Sequence, residues 1–311
     1  MKSTDNTIIS HRKERGLDIL TMENPHLKIT LVPALGGKIA SLYNKRLKKE
    51  FLWNNAGLAL QQNEPGDDYD SNFWGGVDEL LPNDIPEVVD GVSYPDHGEL
   101  WTTRLTYTLE GSEVTVQGLL PLSQLYYRKT VRLHDGEPRI ILNYQLTNQS
   151  PACRHFLWKQ HAALQIAAGD RLETSAGKAQ IVSSDASRFT EQNVFPWPFV
   201  EGVDASLVPE KNNTMDFFYL FDLSVGEMSL ITDNGRVRFT YYYDLNVFPY
   251  QWYFASYGQF RGHYTAILEP ASAMPVSVND AAGKRQCSRL EAGQELRTRV
   301  VIYAGENSPG A

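Results

Sequence analysis

Three stretches of the 311-residue chain carry side chains that could do chemistry. The first is Asn72-Phe73-Trp74-Gly75-Gly76-Val77-Asp78-Glu79-Leu80-Leu81-Pro82-Asn83-Asp84, followed by Tyr94-Pro95-Asp96-His97-Gly98-Glu99-Leu100-Trp101. Carboxylates and amides hydrogen-bond hydroxyl groups, and indole faces cover the apolar C–H face of a pyranose, so this mixture suits sugar binding. The same composition also describes a solvated surface loop whose tryptophans plug the core. The second stretch runs from Arg154 to Leu164. On a strand, His155, Leu157, Lys159 and His161 would share one face, with Phe156, Trp158 and Gln160 on the other. Histidine titrates nearest neutrality and suits proton transfer, although a hydrogen-bonded structural histidine reads the same way. The third is Ala266-Ile267-Leu268-Glu269-Pro270. A carboxylate at the end of an apolar strand is partly desolvated, which raises its pKa and strengthens it as a base. The alternative is an edge glutamate ahead of a turn proline.

The elements that must position these groups read as strands. Apolar residues alternate with polar ones at Leu27–Leu31, Leu105–Leu109, Val114–Val116 and Ile140–Leu146. Asp135-Gly136 and Asn234-Gly235 are hairpin-type dipeptides between such runs, and a last run spans Leu296–Tyr303. No segment carries a long helical stripe with caps at both ends; a short helix around Asp78 to Leu81 is the most the pattern allows. Recurrent strands without alternating helices argue an all-β, antiparallel sandwich or barrel. No linker or composition shift divides the chain, so a single domain over residues 1–311 is expected. Two stretches, Asn54–Leu100 and about Gly169–Asn213, lack strand pattern, and long connections of this kind are often functional.

Composition narrows the function classes. With 29 Lys+Arg against 37 Asp+Glu the chain has a net charge of −8 and no basic stripe, which disfavours nucleic acid as a partner. No apolar run approaches the roughly 20 residues that span a bilayer, and Met1 to Arg15 lacks the apolar core of a signal peptide, so no membrane partner and a cytoplasmic location are expected. Two cysteines are too few for a disulfide framework or a Cys-based zinc site, the seven histidines are scattered, and no metal is expected. There is no Gly-x-Ser-x-Gly elbow, phosphate-binding Gly-rich loop with Lys-Ser/Thr, or His-Glu-x-x-His.

The order of the motifs carries a resemblance. Leu31-Val32-Pro33-Ala34-Leu35-Gly36-Gly37-Lys38-Ile39 is followed by Pro-x-His-Gly-x-x-Trp, a strand ending in His, Phe-Pro-Tyr-x-Trp, and Leu-Glu-Pro. From about Ile19 to Tyr303 the chain resembles the aldose 1-epimerase, or galactose mutarotase-like, family, in a branch without the most familiar sugar-mutarotase motifs. The resemblance implies a β-supersandwich with an open cleft for a monosaccharide substrate, and interconversion of its α and β anomers without a cofactor. It also implies Glu269 as general base, His161 as general acid, and His97 as a second histidine near the ring oxygen. An alkaline limb of the pH–rate profile set by His161 follows from those roles.

Two departures bear on the substrate. Where a typical mutarotase has an arginine before its first histidine, this chain has the acidic Gly75–Asn83 segment, and Lys159-Gln160-His161-Ala162-Ala163-Leu164 replaces the usual Asn-His-x-Tyr-Phe-Asn. An acidic pocket disfavours an anionic sugar unless Lys159 or Arg261 points into it. Glu79, Trp101, Gln251 and Trp252 are the next expected sugar contacts, as acids, amides and rings that can bond hydroxyls or stack on a pyranose. The rival readings are a non-catalytic carbohydrate-binding protein on the same scaffold, an epimerase of a modified or phosphorylated sugar, and a β-sandwich interaction module.

Overall fold

The computed structural model describes residues 7–307, and nearly all of its regular structure is antiparallel strand. Among the described residues the α-helical segment is Val278–Gly283, capped by Ser277, which accepts from the Asp280 N–H. Five strands lie side by side in the order Val77–Leu80, Lys159–Gln165, Tyr264–Ala271, Tyr250–Tyr257 and Thr214–Thr232. The last is long enough to serve two neighbourhoods: its first half pairs with Tyr250–Tyr257 and its second half with Val237–Tyr242. From there the ladder continues through Glu295–Glu306, Arg139–Asn148, Leu125–Leu133 and Glu113–Leu119. That run folds back to pack on the five strands. Tyr144 of Arg139–Asn148 meets Trp158 edge-on at 5.1 Å, in a core that also holds Tyr127, Leu142, Leu146, Phe156 and Ala162. Lys38–Asn44, Leu27–Val32 and Leu17–Glu23 extend the other edge, joined through Ile39 and Val77.

The alternating runs of the sequence fall on strands, with Leu105 just ahead of Thr106–Glu110, but two stretches expected to be irregular also hold strands. Val77–Leu80 is a strand, not a helix, and Glu87–Val89 and Val92–Tyr94 form a small hairpin. Val77–Leu80 is buried at all four positions, so its two acids conceal the alternation that a half-exposed strand would show. Arg171–Ile181 is a strand interrupted by a bulge between Thr174 and Ala176, which shifts the polar–apolar period.

Candidate functional site

Strand register sets out the floor of the site. Asp78 lies opposite His161, Glu269 opposite Trp252, and Trp252 opposite Tyr219. The Lys159–Gln165 strand pairs Lys159 with Ala271 and Ala162 with Leu268, and the same register sets His161 opposite Glu269. The ladder is interrupted there, where Pro270 has no N–H to offer. Residues directly opposite one another point to the same face, so Asp78, His161, Glu269, Trp252 and Tyr219 form one row across five strands. Two residues along, Lys159 joins the same face; two residues the other way, Ala163, Ile267, Phe254 and Phe217 make a parallel apolar row.

Loops build the walls. Tyr69 stacks on His97 at 4.2 Å and 12°, and meets His161 edge-on at 5.8 Å. The Tyr69 hydroxyl donates to Asp78 Oδ2 at 3.2 Å and lies 3.4 Å from His161 Nδ1. Lys38 holds Asp78 from behind, with Nζ 2.6 Å from Oδ2. Phe73 closes edge-on over His161 at 5.7 Å. His97 sits at φ 55° beside Gly98 at φ 72°, and a Cβ on Gly98 would come within 2.3 Å of the Leu81 carbonyl oxygen. Only glycine permits that approach, so the Asp-His-Gly turn needs its glycine to aim the imidazole. The His97 N–H donates to the Asp84 carbonyl at 2.8 Å, tying together the two loops that bring His97 and Asp84 to the floor. The resulting cavity of about 170 Å³ is lined by His97, His161, Glu269, Lys159, Asp84 and Asp70, with Tyr69 and a set of Phe and Ile side chains as its apolar wall.

Charge in the cavity is concentrated on a bridge. Lys159 Nζ lies 2.6 Å from both Asp84 Oδ1 and Glu269 Oε2, and 4.3 Å from the centre of the Trp252 ring. All three ionic side chains are buried. Burial pulls the Lys159 ammonium toward neutrality, but the charges of Asp84 and Glu269 outweigh it and raise its pKa. Burial pushes Asp84 up, and Lys159 and His97 more than reverse this, leaving it below the usual carboxylate range. For Glu269 burial wins over the stabilising Lys159, and its pKa is raised. The histidines diverge. Burial, then the charges of Lys159, His97 and Lys38, hold His161 well below its ordinary value, so it is neutral at neutral pH. Burial also works against protonation of His97, but Asp96, with its Oδ2 2.9 Å from Nδ1, and the Asp84 charge outweigh it and raise the pKa. An alkaline limb set by a charged His161 therefore does not agree with its surroundings.

His97, His161 and Glu269, expected to converge, line one cavity, and Lys159 points into it with them. The four residues expected at the rim do not line it. Glu79 and Gln251 each neighbour a floor residue in sequence, and strand alternation turns them to the opposite face. There Glu79 binds Lys129 and Tyr144, and Gln251 binds Tyr243 and the Glu227 carbonyl. Trp252 is on the correct face but wholly buried beneath Lys159, its Nε1 donating to the Ala273 carbonyl at 3.0 Å. Trp101 stands behind the wall, edge-on to Tyr69 at 5.0 Å. Arg261 lies outside the lining, 3.0 Å from Ser71 Oγ and 3.7 Å from Asp68 Oδ1. His155 pairs with Asp90 away from the cavity. Asp84, Tyr69, Asp70 and the phenylalanines Phe217, Phe254 and Phe260 were not anticipated. Asp84 ends the acidic Asn72–Asp84 stretch, but only the pairing of Lys159 with it and with Glu269 gives it a place. Among the described residues no three His, Cys, Asp or Glu side chains are arranged to hold a metal ion, and no helix is long and apolar enough to cross a membrane.

A family model described as a domain of unknown function, DUF5107, matches residues 5–78. No curated protein matches the chain. Solved structures do. A galactose mutarotase-like protein from Clostridium acetobutylicum is 12% identical, with a TM-score of 0.72 over 97% of this chain and 99% of that one. A candidate aldose 1-epimerase from Escherichia coli K12 is 13% identical, with a TM-score of 0.71 over 93% of this chain and 99% of that one. A TPR-domain containing protein from Parabacteroides distasonis is 15% identical, with a TM-score of 0.67 over 93% of this chain; the match spans about half, 47%, of that protein. At these identities the likeness is one of architecture, and the chain has the galactose mutarotase-like β-sandwich fold.

Proposed function

We propose that this chain is an aldose 1-epimerase that interconverts the α and β anomers of a neutral monosaccharide. The observation that carries this reading is the convergence of His97, His161 and Glu269 on one small cavity whose remaining wall is largely aromatic. Glu269 takes the proton of the C1 hydroxyl as the bond between C1 and the ring oxygen breaks, and a histidine gives its proton to that oxygen. Rotation about C1–C2 exposes the other face of the aldehyde, and reclosure with the roles reversed gives the other anomer. Of the two histidines, His97 is the one whose surroundings favour the charged form, raising its pKa, so it supplies the proton, and neutral His161 holds the oxygen by hydrogen bonding. No cofactor enters this scheme. The wall rings offer faces for C–H groups of the sugar.

The charge balance favours a neutral substrate. Three carboxylates, Asp70, Asp84 and Glu269, line the cavity, and its one lysine is already held by two of them. A phosphate or carboxylate on the sugar would need unspent Arg or Lys donors.

Exchange NMR of anomer interconversion over a panel of neutral aldoses, uronates and sugar phosphates tests this. Enhanced exchange is expected with at least one neutral aldose, with a bell-shaped pH profile. Its acid limb lies above the ordinary glutamate value, because burial raises Glu269. The alkaline limb lies above 6.5, the ordinary histidine value that His97 exceeds. An alkaline limb below 6.5 would return the acid role to His161, and no enhancement with any sugar would leave a binding protein.

A further inference from the structure

Lys159 has no counterpart in the roles that the resemblance implies, yet its ammonium joins two carboxylates of the cavity above the Trp252 ring. It rises from the strand that carries His161, two residues before it, and so shares its face. Its nitrogen lies 2.6 Å from carboxylate oxygens that come from places far apart in sequence, Asp84 on a loop and Glu269 on a strand. Trp252, fully buried beneath the nitrogen, fixes its height over the sheet. No well-aligned hydrogen-bond donor reaches Glu269 Oε2 among the described residues, so the ion pair with Lys159 is what locates that oxygen.

We propose that Lys159 is the positioning residue of the base, holding the Glu269 carboxylate charged and in place through a bridge whose strength Asp84 sets. This rests on the reading of Glu269 as base. A glutamate so buried would otherwise take up a proton near neutrality and lose its ability to accept one from the substrate. Asp84 competes for the same ammonium, so the bridge leaves Glu269 paired but not over-stabilised. The other titratable groups near Glu269 are His97, His161 and Asp70 around the cavity, Tyr69 and Tyr219, and, from the core side, Tyr241; the three tyrosines stay protonated because burial raises them.

Opposite shifts from two substitutions test the bridge. Lys159→Met removes the cation, and the acid limb of the exchange rate should move to higher pH by about one unit or more, with the rate below that limb falling about tenfold per unit. Asp84→Asn leaves Lys159 to Glu269 alone, and the acid limb should move to lower pH; the alkaline limb should fall as well, since Asp84 supports the charge on His97. Lys159→Arg should recover most of the unaltered profile. Lost stability alone moves neither limb and cannot give shifts of opposite sign. If Lys159→Met fails to fold, the shifts of Asp84→Asn and Lys159→Arg decide the matter. An independent measurement, the pH titration of the Glu269 side-chain carboxyl by carbon-13 NMR, assigned with Glu269→Gln, requires no turnover. Absence of exchange in the unaltered chain would therefore sink the functional reading and leave the bridge still decided by that titration. An acid limb and a Glu269 titration that stay put in folded Lys159→Met, or that move upward in Asp84→Asn, would overturn the proposal.

Discussion

Two buried lysine–carboxylate contacts lie on opposite faces of the five-stranded layer, and they do different things. On the core face, Lys129 reaches across the sandwich to Glu79; both side chains are wholly buried. Lys129 Nζ donates to both Glu79 oxygens at 2.9 and 2.8 Å and to the Gly37 carbonyl at 2.7 Å, and the Tyr144 hydroxyl donates to Glu79 at 2.6 Å. The Lys129 ammonium is fully used, and the two sheets are joined by the pair. On the other face, Lys159 and Glu269 are nearly as buried, but the ammonium is divided between two carboxylates and the group borders open volume. Burial of charge is common to both. Free valence next to space for a ligand belongs only to the second, and that combination is what the proposed function draws on.

Substitutions on the two faces should therefore separate rate from stability. Glu269→Gln keeps volume and removes the proposed base, so the exchange rate per folded molecule should fall by about 10²–10⁴-fold with sugar binding largely retained. Full activity of a folded Glu269→Gln protein would erase the distinction between the faces. Lys129→Met leaves Glu79 as an uncompensated charge and should cost about 3–5 kcal/mol of stability in denaturant titrations, with the rate of the surviving folded fraction unchanged. A rate loss exceeding the loss of folded protein would show that the core pair also tunes the site, through Gln160, which shares the Tyr144 hydroxyl with Glu79. Gln251→Met strips hydrogen bonds from Tyr243 and the Glu227 carbonyl and should cost about 1–3 kcal/mol, again with no change in rate. A change in KM for the sugar would put Gln251 back at the rim.

The same comparison explains what could be read in advance. The alternating runs were legible because most strands expose one face, and the motif order brought out His97, His161 and Glu269. Lys159 was placed on the face of His161 by counting residues along a strand. Counting failed at Glu79 and Gln251 because nothing local said that Val77–Leu80 is a strand, or which member of each adjacent pair faces the cleft. The register that decides this is set by the pairing of Asp78 with His161 and of Trp252 with Glu269. Those contacts join residues far apart in the chain, and no window of sequence contains them. Asp84 and Tyr69 were illegible for a related reason, since each is delivered by an irregular loop whose path depends on what it packs against.

The division between floor and walls also bears on how such a protein can change over generations. Lys159, His161 and Glu269 belong to paired strands, where insertion of a single residue would turn every following side chain to the wrong face. Tyr69, Asp70, Phe73, Asp84 and His97 stand on connections, which tolerate changes of length far more readily. A lineage built on this fold can exchange the molecules it admits by rewriting loops while the row of Lys159, His161 and Glu269 is inherited intact. Relatives with the same floor and different walls are the expected outcome, and diversity among them should be sought in the connections before the strands.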